Sequence, residues 1–145
     1  MERQQIIIPG LPEHLRAVPL GPTDADDPDR PQVIQNWLNW AQGVVNHRTW
    51  TWAACEGLID GVDANRQQEI EYFRCQMDPL YCIMMYMSMY ETNPDLLKLY
   101  PWYREEAGGW LPAIPFEFQC RMIRWMEARS RGDGGARGGY IGKPR

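Results

Sequence analysis

Residues 31–46 read PQVIQNWLNWAQGVVN and carry the pattern that determines the fold class. Apolar residues recur in this stretch at steps of three and four, which is the spacing of one face of an α-helix. They are Val33, Trp37, Trp40, Ala41 and Val44. Pro31 suits the first turn of a helix, because an N–H at that position has no partner within the helix. The apolar stripe is wide, so we expect other elements to cover this helix.

A second helix is predicted over residues 49–59, directly after the first. Thr49 is expected to cap it, because a hydroxyl oxygen can accept a hydrogen bond from a free N–H of the first turn. Trp50, Ala53, Ala54 and Leu58 are expected to face inward at helical spacing. Gly61 is expected to end the helix, since glycine readily adopts the left-handed conformation found just beyond helix ends.

Two aspartates predict the starts of further helices. Asp63 is a good cap for a third helix, and Asp78-Pro79 combines a cap with a proline in the first turn. The segment 81–90 that follows contains almost no charge, which is typical of a buried helix, although its methionines would also suit a partner surface. Residues 85–91 also alternate between apolar and polar, so a strand remains an alternative for them.

The remaining segments complete a three-part organisation before residue 115. Residues 1–30 are rich in proline and aspartate and are predicted to be an extended or disordered arm that cannot bury a core. Within it, Ile6-Ile7-Ile8 is expected to pack onto the body rather than to add to a neighbouring sheet. Residues 31–92 form the predicted helical body, and 93–114 a connector with a short helix. The fold class is mainly α, a small bundle of four to five helices.

Composition excludes several functional classes. The four cysteines lack CxxC spacing and the chain has two histidines, so a structural zinc site is not expected and the thiols are predicted to be reduced. No apolar run is long enough to span a membrane, and the first residues do not form a secretory signal. No Ser-His-Asp or Cys-His arrangement for nucleophilic catalysis can be assigned.

Charge is distributed unevenly along the chain. Residues 121–145 carry seven basic groups against Glu127 and Asp133, a net of +5. Because the whole chain has a net charge of −4, residues 1–120 carry −9. A basic end on an acidic body fits an end that approaches phosphates, and it equally fits a solvated helix face with a basic tail.

Residues 114–145 contain the most specific series of motifs. Pro115-Phe116 leads into a predicted helix over 116–130, in which Gln119 lies in the first turn. One face of this helix is apolar and the other is charged. The apolar residues are Phe118, Met122, Ile123, Trp125 and Met126. A glycine-rich turn follows, then Tyr140-Ile141 as a predicted strand, then Lys143-Pro144-Arg145.

This order resembles the start of the ATPase domain in the large terminase subunit of tailed bacteriophages. That family has a Pro-Phe/Tyr-x-x-Gln segment before the first core strand, followed by a variant Walker A loop. Lys143-Pro144-Arg145 is similar to the front edge of that loop. Upstream, Asp78-Pro79-Leu80-Tyr81 is similar to the Asp-Pro-x-Tyr/Phe segment of such proteins. The resemblance covers residues 77–145 and implies the N-terminal portion of such a subunit, truncated where the Walker A loop starts.

The resemblance implies a role for individual residues. Gln119 would recognise adenine, because its amide offers one donor and one acceptor. Phe116 or Phe118 would help to shape the base pocket, and Arg145 would approach the β and γ phosphates of ATP. Lys143 is a second basic candidate. Residues 115–145 would then be a Q-motif-like helix and the first strand of an incomplete α/β ATPase domain.

The resemblance also implies partners and a limit on activity. The parent protein would be an ATPase and nuclease that translocates double-stranded DNA in the host cytoplasm. Its N-terminal region would contact the small terminase subunit, the portal or neighbouring motor subunits, with no membrane. The glycines, lysine and Ser/Thr of the phosphate loop are not among the 145 residues, so no ATP hydrolysis is expected from this chain alone. The alternative is a self-contained helical protein–protein interaction module with a basic C-terminal tail.

Overall fold

The structure is a computed structural model that describes residues 4–132, and within them it confirms a mainly helical fold. Five α-helices and one small sheet follow each other along the chain. They are α1 (Arg30–Cys55), α2 (Ala64–Met77), α3 (Pro79–Tyr86), β1 (Ser88–Tyr90), α4 (Pro94–Leu97), β2 (Trp110–Pro112) and α5 (Glu117–Ser130).

One helix replaces the two that were predicted over residues 31–59. The helix α1 runs without a break through residues 46–49, because its buried stripe continues there with Arg48, Thr51 and Ala54. The predicted cap at Thr49 is therefore wrong, and the Thr49 hydroxyl donates a hydrogen bond to the Val45 carbonyl within the helix. A sequence rule that treats polar residues as a helix boundary fails here, since Arg48 is polar and buried.

The end of α1 also lies earlier than the prediction. Gly57 adopts a left-handed φ of 79°, and the Leu58 N–H donates to the Ala53 carbonyl at 2.9 Å. These are the features of a glycine-terminated helix end, which satisfies carbonyls that the helix leaves free. Gly61 has a similar φ, but the helix has ended before it. Leu58 is 69% exposed and Trp50 is 43% exposed, so the prediction that they face inward is wrong, whereas Ala54 is fully buried as predicted.

Side chains of residues 6–18 belong to the core, although the composition of residues 1–30 predicts an arm without one. The chain folds into a tight hairpin in which Ile8 N donates to Arg16 O at 2.8 Å and Val18 N donates to Ile6 O at 2.9 Å. Side chains from the hairpin are buried against α1 and α3, among them Ile6, Ile8, Leu11, Leu15 and Val18. The expectation that Ile6-Ile7-Ile8 packs onto the body is confirmed for Ile6 and Ile8, whereas Ile7 is half exposed.

Both aspartate caps are confirmed. The Asp63 carboxylate accepts hydrogen bonds from the N–H groups of Asn65 and Arg66 at the start of α2. Asp78 does the same for Leu80 and Tyr81 at the start of α3, where Pro79 occupies the first turn. Because one residue separates α2 from α3, the two helices meet at a corner that Asp78 occupies.

Residues 85–91, for which helix and strand were both predicted, are partly helix and partly strand. The helix α3 ends at Tyr86, and β1 follows as one strand of an antiparallel pair in which Met89 lies opposite Leu111. Gly109 lies directly before β2 and has a left-handed φ of 99°. A Cβ atom at this position would lie 2.7 Å from the Glu91 carbonyl oxygen. Glycine is therefore the residue that fits this position.

The segment between β1 and β2 packs against the rest of the protein. The helix α4 and the segment after it place Leu97 and Trp102 in the core, next to Trp37 of α1. The strand β2 adds Leu111, and Ile114 and Cys120 bring the start of α5 into the same cluster. The described residues thus share one core, and α5 begins at its edge.

Candidate functional site

The start of α5 is held firmly by contacts on its inner side. The Trp37 indole N–H donates to the Pro115 carbonyl at 3.1 Å, and Glu117 is 3% exposed. The Glu117 carboxylate accepts hydrogen bonds from the Gly21 N–H at 2.9 Å and from Arg121. These contacts determine which side of the first turn faces solvent, and that side carries the predicted adenine-recognition residues.

Gln119 is exposed and already has a structural role. Its Oε1 accepts a hydrogen bond from the Phe116 backbone N–H at 2.9 Å, so the side chain reaches back to satisfy a free donor at the helix start. Within the described residues, no hydrogen bond from the Nε2 amide is found. The amide group thus has a donor available for a ligand, and an acceptor oxygen with one of its two lone pairs in use.

Phe116 and Phe118 flank the same open surface. Their rings are 6.3 Å apart and nearly parallel, with an interplanar angle of 6°. Phe116 also packs against Trp37 at 4.5 Å between ring centroids, which leaves it 40% exposed, while Phe118 is 62% exposed. The structure therefore brings Phe116, Phe118 and Gln119 together. Lys143, Arg145 and the predicted strand at Tyr140-Ile141 lie outside the described residues.

A small apolar cavity lies on the other side of Gln119. Its volume is about 230 Å³, below the range of about 300–1,000 Å³ that is usual for small-molecule sites. The side chains around it come from α3, β1, α5 and the segment between β2 and α5, and include Ile83, Met89, Ile114 and Ile123. Neither Phe116 nor Phe118 lines this cavity.

An ion pair joins the two segments that carry the resemblance to terminases. Arg124 of α5 pairs with both carboxylate oxygens of Asp78, at 2.6 and 3.1 Å, while Asp78 still caps α3. Arg124 also donates to the Ile7 carbonyl at 2.9 Å and to Glu127 at 3.2 Å. Burial acts to lower the pKa of Arg124, but the hydrogen bonds and charges of Asp78 and Glu127 outweigh it and raise that pKa.

Replacing Arg124 with alanine is expected to lower the free energy of unfolding by about 1–2 kcal/mol, because a charged donor to three partners is lost. Asp78→Ala should cost more, since it removes the α3 cap as well. The double variant should cost about 1 kcal/mol less than the two single losses together. Urea unfolding of the four proteins measures this coupling. Strict additivity would show that the ion pair contributes nothing.

A larger groove of about 900 Å³ lies between the hairpin, α2 and α5. Its apolar lining includes Ile7, Phe73 and Met77, each at least half exposed, and Arg66 and Arg74 contribute charge. The helical spacing of Phe73 and Met77 is visible in the sequence, but periodicity alone does not tell whether such a face is covered. The groove was therefore not predicted.

A buried carboxylate is the other feature that was not predicted. Glu71 is 4% exposed and accepts hydrogen bonds from Tyr81 Oη at 2.7 Å, Tyr86 Oη at 2.5 Å and Arg74 at 2.7 Å. Burial, together with the hydrogen bonds to Glu71, raises the pKa of both tyrosines. The two tyrosine hydroxyls and Arg74 occupy three of the roughly four acceptor positions of this carboxylate, so it joins α2 to α3.

Residues 4–132 contain no group of three or more His, Cys, Asp or Glu side chains that could hold a metal ion. In the same residues no helix has the length and apolar character needed to cross a bilayer. Burial raises the pKa of the Cys120 thiol to about 12, so this cysteine is not an activated nucleophile.

Comparison with known proteins identifies no relative: no protein-family model, no curated protein and no solved structure matches the chain.

Proposed function

We propose that this chain is the N-terminal region of the large subunit of a phage DNA-packaging terminase, and that it contributes an adaptor region and the adenine side of the ATP site. The observation that carries the proposal is the Asp78–Arg124 ion pair. It joins Asp78 of the Asp78-Pro79-Leu80-Tyr81 segment to α5, the helix that also contains Gln119 of the Pro115-Phe116-x-x-Gln119 segment.

The exposed residues at the start of α5 support the adenine assignment. Phe116 and Phe118 present ring surface, and Gln119 presents an amide donor beside a partly used acceptor oxygen. An adenine edge needs one donor and one acceptor in one plane, which a glutamine amide provides. In the parent protein, Lys143 and Arg145 would lie toward the phosphates of ATP. The motor would work in the host cytoplasm, with double-stranded DNA, the small subunit, the portal or neighbouring motor subunits as partners.

The proposal is tested by saturation-transfer NMR with adenosine and guanosine, a method that detects weak binding. Uncharged nucleosides are chosen because the phosphate-binding loop is not among the 145 residues. Adenosine is expected to give the stronger signal, and Gln119→Glu is expected to reduce it several-fold. This variant keeps the acceptor for the Phe116 N–H but loses the amide donor.

Gln76→Ala, which changes an exposed glutamine on α2, is the matched control and should bind adenosine as the unchanged protein does. Equal signals from the two nucleosides, or full binding by Gln119→Glu, would leave Gln119 with its helix-capping role alone. ATP turnover above a blank that Gln119→Ala abolishes would contradict the expectation that this chain does not hydrolyse ATP.

The second candidate function is a self-contained helical interaction module with a basic C-terminal tail. The groove beside α2 favours it, because Phe73 and Met77 are exposed there and aromatic and methionine side chains are enriched at protein interfaces. The reading frame that follows the codon for Arg145 discriminates between the two functions. A Gly-x-Ser/Thr phosphate loop followed by an acidic strand end would establish the motor, and a stop codon would favour the module.

A further inference from the structure

The corner between α2 and α3 brings two cysteine side chains together. Cys75 lies in the last turn of α2 and Cys82 in the first turn of α3, with Asp78 as the one residue between the two helices. The thiols of Cys75 and Cys82 share a hydrogen bond, and both side chains are half-buried. The two sulfur atoms are therefore neighbours, and solvent reaches the place where they meet.

Backbone and side-chain contacts fix the geometry of this corner. The Asp78 N–H donates to the Arg74 carbonyl at 3.0 Å, and the Cys82 N–H donates to the Asp78 carbonyl at 3.1 Å. On the buried side, the Glu71 carboxylate of α2 accepts hydrogen bonds from two tyrosine hydroxyls of α3. These bonds prevent the helices from separating, so each thiol experiences a high local concentration of the other. Closure to the S–S bond length of about 2 Å is then a movement of side chains alone.

The other two cysteines of the chain are not placed in this way. Cys120 is fully buried, and the charged groups around its thiol are arginine and acidic side chains. Cys55 of α1 is half-buried, and burial raises the pKa of its thiol together with the charges of Glu71 and a second glutamate. No cysteine is among the neighbours that affect either thiol. Among the four cysteines, Cys75 and Cys82 thus form the one adjacent pair.

We propose that Cys75 and Cys82 form a reversible disulfide that locks the α2–α3 corner, with a small organic disulfide such as oxidised glutathione as the oxidant. The thiolate is the nucleophile in such an exchange. Burial, followed by the hydrogen bond with Cys82, raises the pKa of the Cys75 thiol to about 12. Cys82 is therefore the thiol that attacks first, and Cys75 is the thiol that completes the disulfide.

The exchange proceeds in two balanced steps. Cys82 gives its proton to solvent, and its thiolate attacks one sulfur of the small disulfide, which breaks that S–S bond and releases one small thiolate. Cys75 then gives its proton to solvent and attacks the Cys82 sulfur, which forms the protein disulfide and releases the second small thiolate. Each released thiolate takes up one proton. Two electrons pass from the protein thiols to the small disulfide, which leaves as two small thiols.

The disulfide would strengthen a point at which three helices meet. It closes a short loop around Asp78, whose carboxylate also binds Arg124 of α5. Such a loop stabilises the folded protein chiefly because it restricts the unfolded chain. A reductant reverses the effect, so the stability of the corner would follow the redox state of the surroundings. The exchange requires no nucleotide and none of the residues of the proposed adenine site, so either proposal can fail without the other.

Incubation with oxidised glutathione, followed by counting of free thiols in denaturant, tests the disulfide. The unchanged chain is expected to fall from four free thiols to two. Because Asp78 lies between the two cysteines, cleavage before Asp78 by an Asp-specific protease should give two peptides that stay joined until a reductant is added. The oxidised protein should melt about 4–10 °C higher than the reduced protein, and dithiothreitol should remove this difference.

Cys75→Ser removes the second thiol, so this variant should stop at a mixed disulfide between Cys82 and glutathione, with no rise in melting temperature. Cys55→Ser makes the same substitution at a half-buried cysteine of α1 and is the matched control. It should lose two of its three thiols and gain melting temperature as the unchanged chain does. Circular dichroism checks that each variant is folded, and Cys82→Ser serves as a second variant if Cys75→Ser is not.

Three results would overturn the proposal. The first is an unchanged chain that keeps four free thiols after incubation, and the second is a disulfide that involves Cys55 or Cys120. The third is a Cys75→Ser protein that loses two thiols as the unchanged chain does, because the disulfide would then join other cysteines.

Discussion

Replacing Glu71 with alanine is expected to lower the free energy of unfolding by about 2–4 kcal/mol, the largest effect of any substitution considered for this chain. The carboxylate is 4% exposed and joins α2 to α3 through the hydroxyls of Tyr81 and Tyr86. Without it, the fully buried Tyr81 hydroxyl loses its acceptor, and an unsatisfied buried donor is costly. The expected loss of stability is smaller than for breaking a fully buried ion pair, because the side chain of Arg74, which pairs with Glu71, is 38% exposed.

Urea unfolding and thermal melting measure this effect, with a fall in melting temperature of about 6–12 °C. Glu69→Ala is the matched control, because Glu69 is an exposed glutamate of the same helix. It should change stability by less than about 0.5 kcal/mol. A Glu71→Ala protein as stable as the Glu69→Ala protein would show that the tyrosine hydroxyls find other partners.

Replacing Arg48 with methionine is expected to cost about 2–3 kcal/mol. Arg48 is 5% exposed, and none of the ion pairs among residues 4–132 involves it. Its guanidinium instead donates to the Met84 and Met87 carbonyls at the C-terminus of α3, at 3.1 and 2.6 Å. The negative end of the helix dipole and the face of Trp52, 4.7 Å away, stabilise the charge. Burial lowers the pKa of Arg48 nonetheless.

Arg48→Lys separates charge from geometry in this prediction. An ammonium keeps the charge but lacks the planar fork that reaches two carbonyls and Ser88 at once, so its stability should fall between arginine and methionine. Arg66→Met, at an exposed arginine of α2, is the control and should change stability little. The denaturant midpoints of the three variants measure these differences in stability. A methionine variant that matches the unchanged protein would mean that water satisfies the freed carbonyls.

The elements with local signals are those that sequence patterns predicted well. Asp63 and Asp78 cap helices as expected, because an aspartate oxygen reaches N–H groups two and three residues ahead whatever the rest of the chain does. The helix after Pro115 was likewise placed to within one residue of its observed start at Glu117. The break predicted before Thr49 was wrong, because Arg48 finds carbonyl partners 36 and 39 residues away.

The candidate site was predicted in part. Phe116, Phe118 and Gln119 do lie together on open surface, because the extended N-cap conformation of Phe116 stacks its ring on Phe118 and Gln119 bonds back to its N–H. The capping bond from the Phe116 N–H to Gln119 was not predicted, although a glutamine three residues after a helix cap is the local signal for it. The ion pair between Asp78 and Arg124 spans 46 residues, and no local pattern indicates such a pair.

The sequence by itself determined that the chain is mainly helical, where most of its helices begin, and which residues lie on each face of α5. Those properties follow from interactions over a few residues, which the order of side chains dictates. Only the tertiary structure decided which face of α5 is covered and that the proline-rich start joins the core. Arg124 contacts Asp78 and Ile7 and therefore lies on the covered side of α5, which it shares with Cys120 and Ile123. Ile8 and Leu11 pack into the same core as α1 and α3. A helical wheel shows that α5 has two different faces, but contacts with residues distant in sequence determine which of them is exposed to solvent.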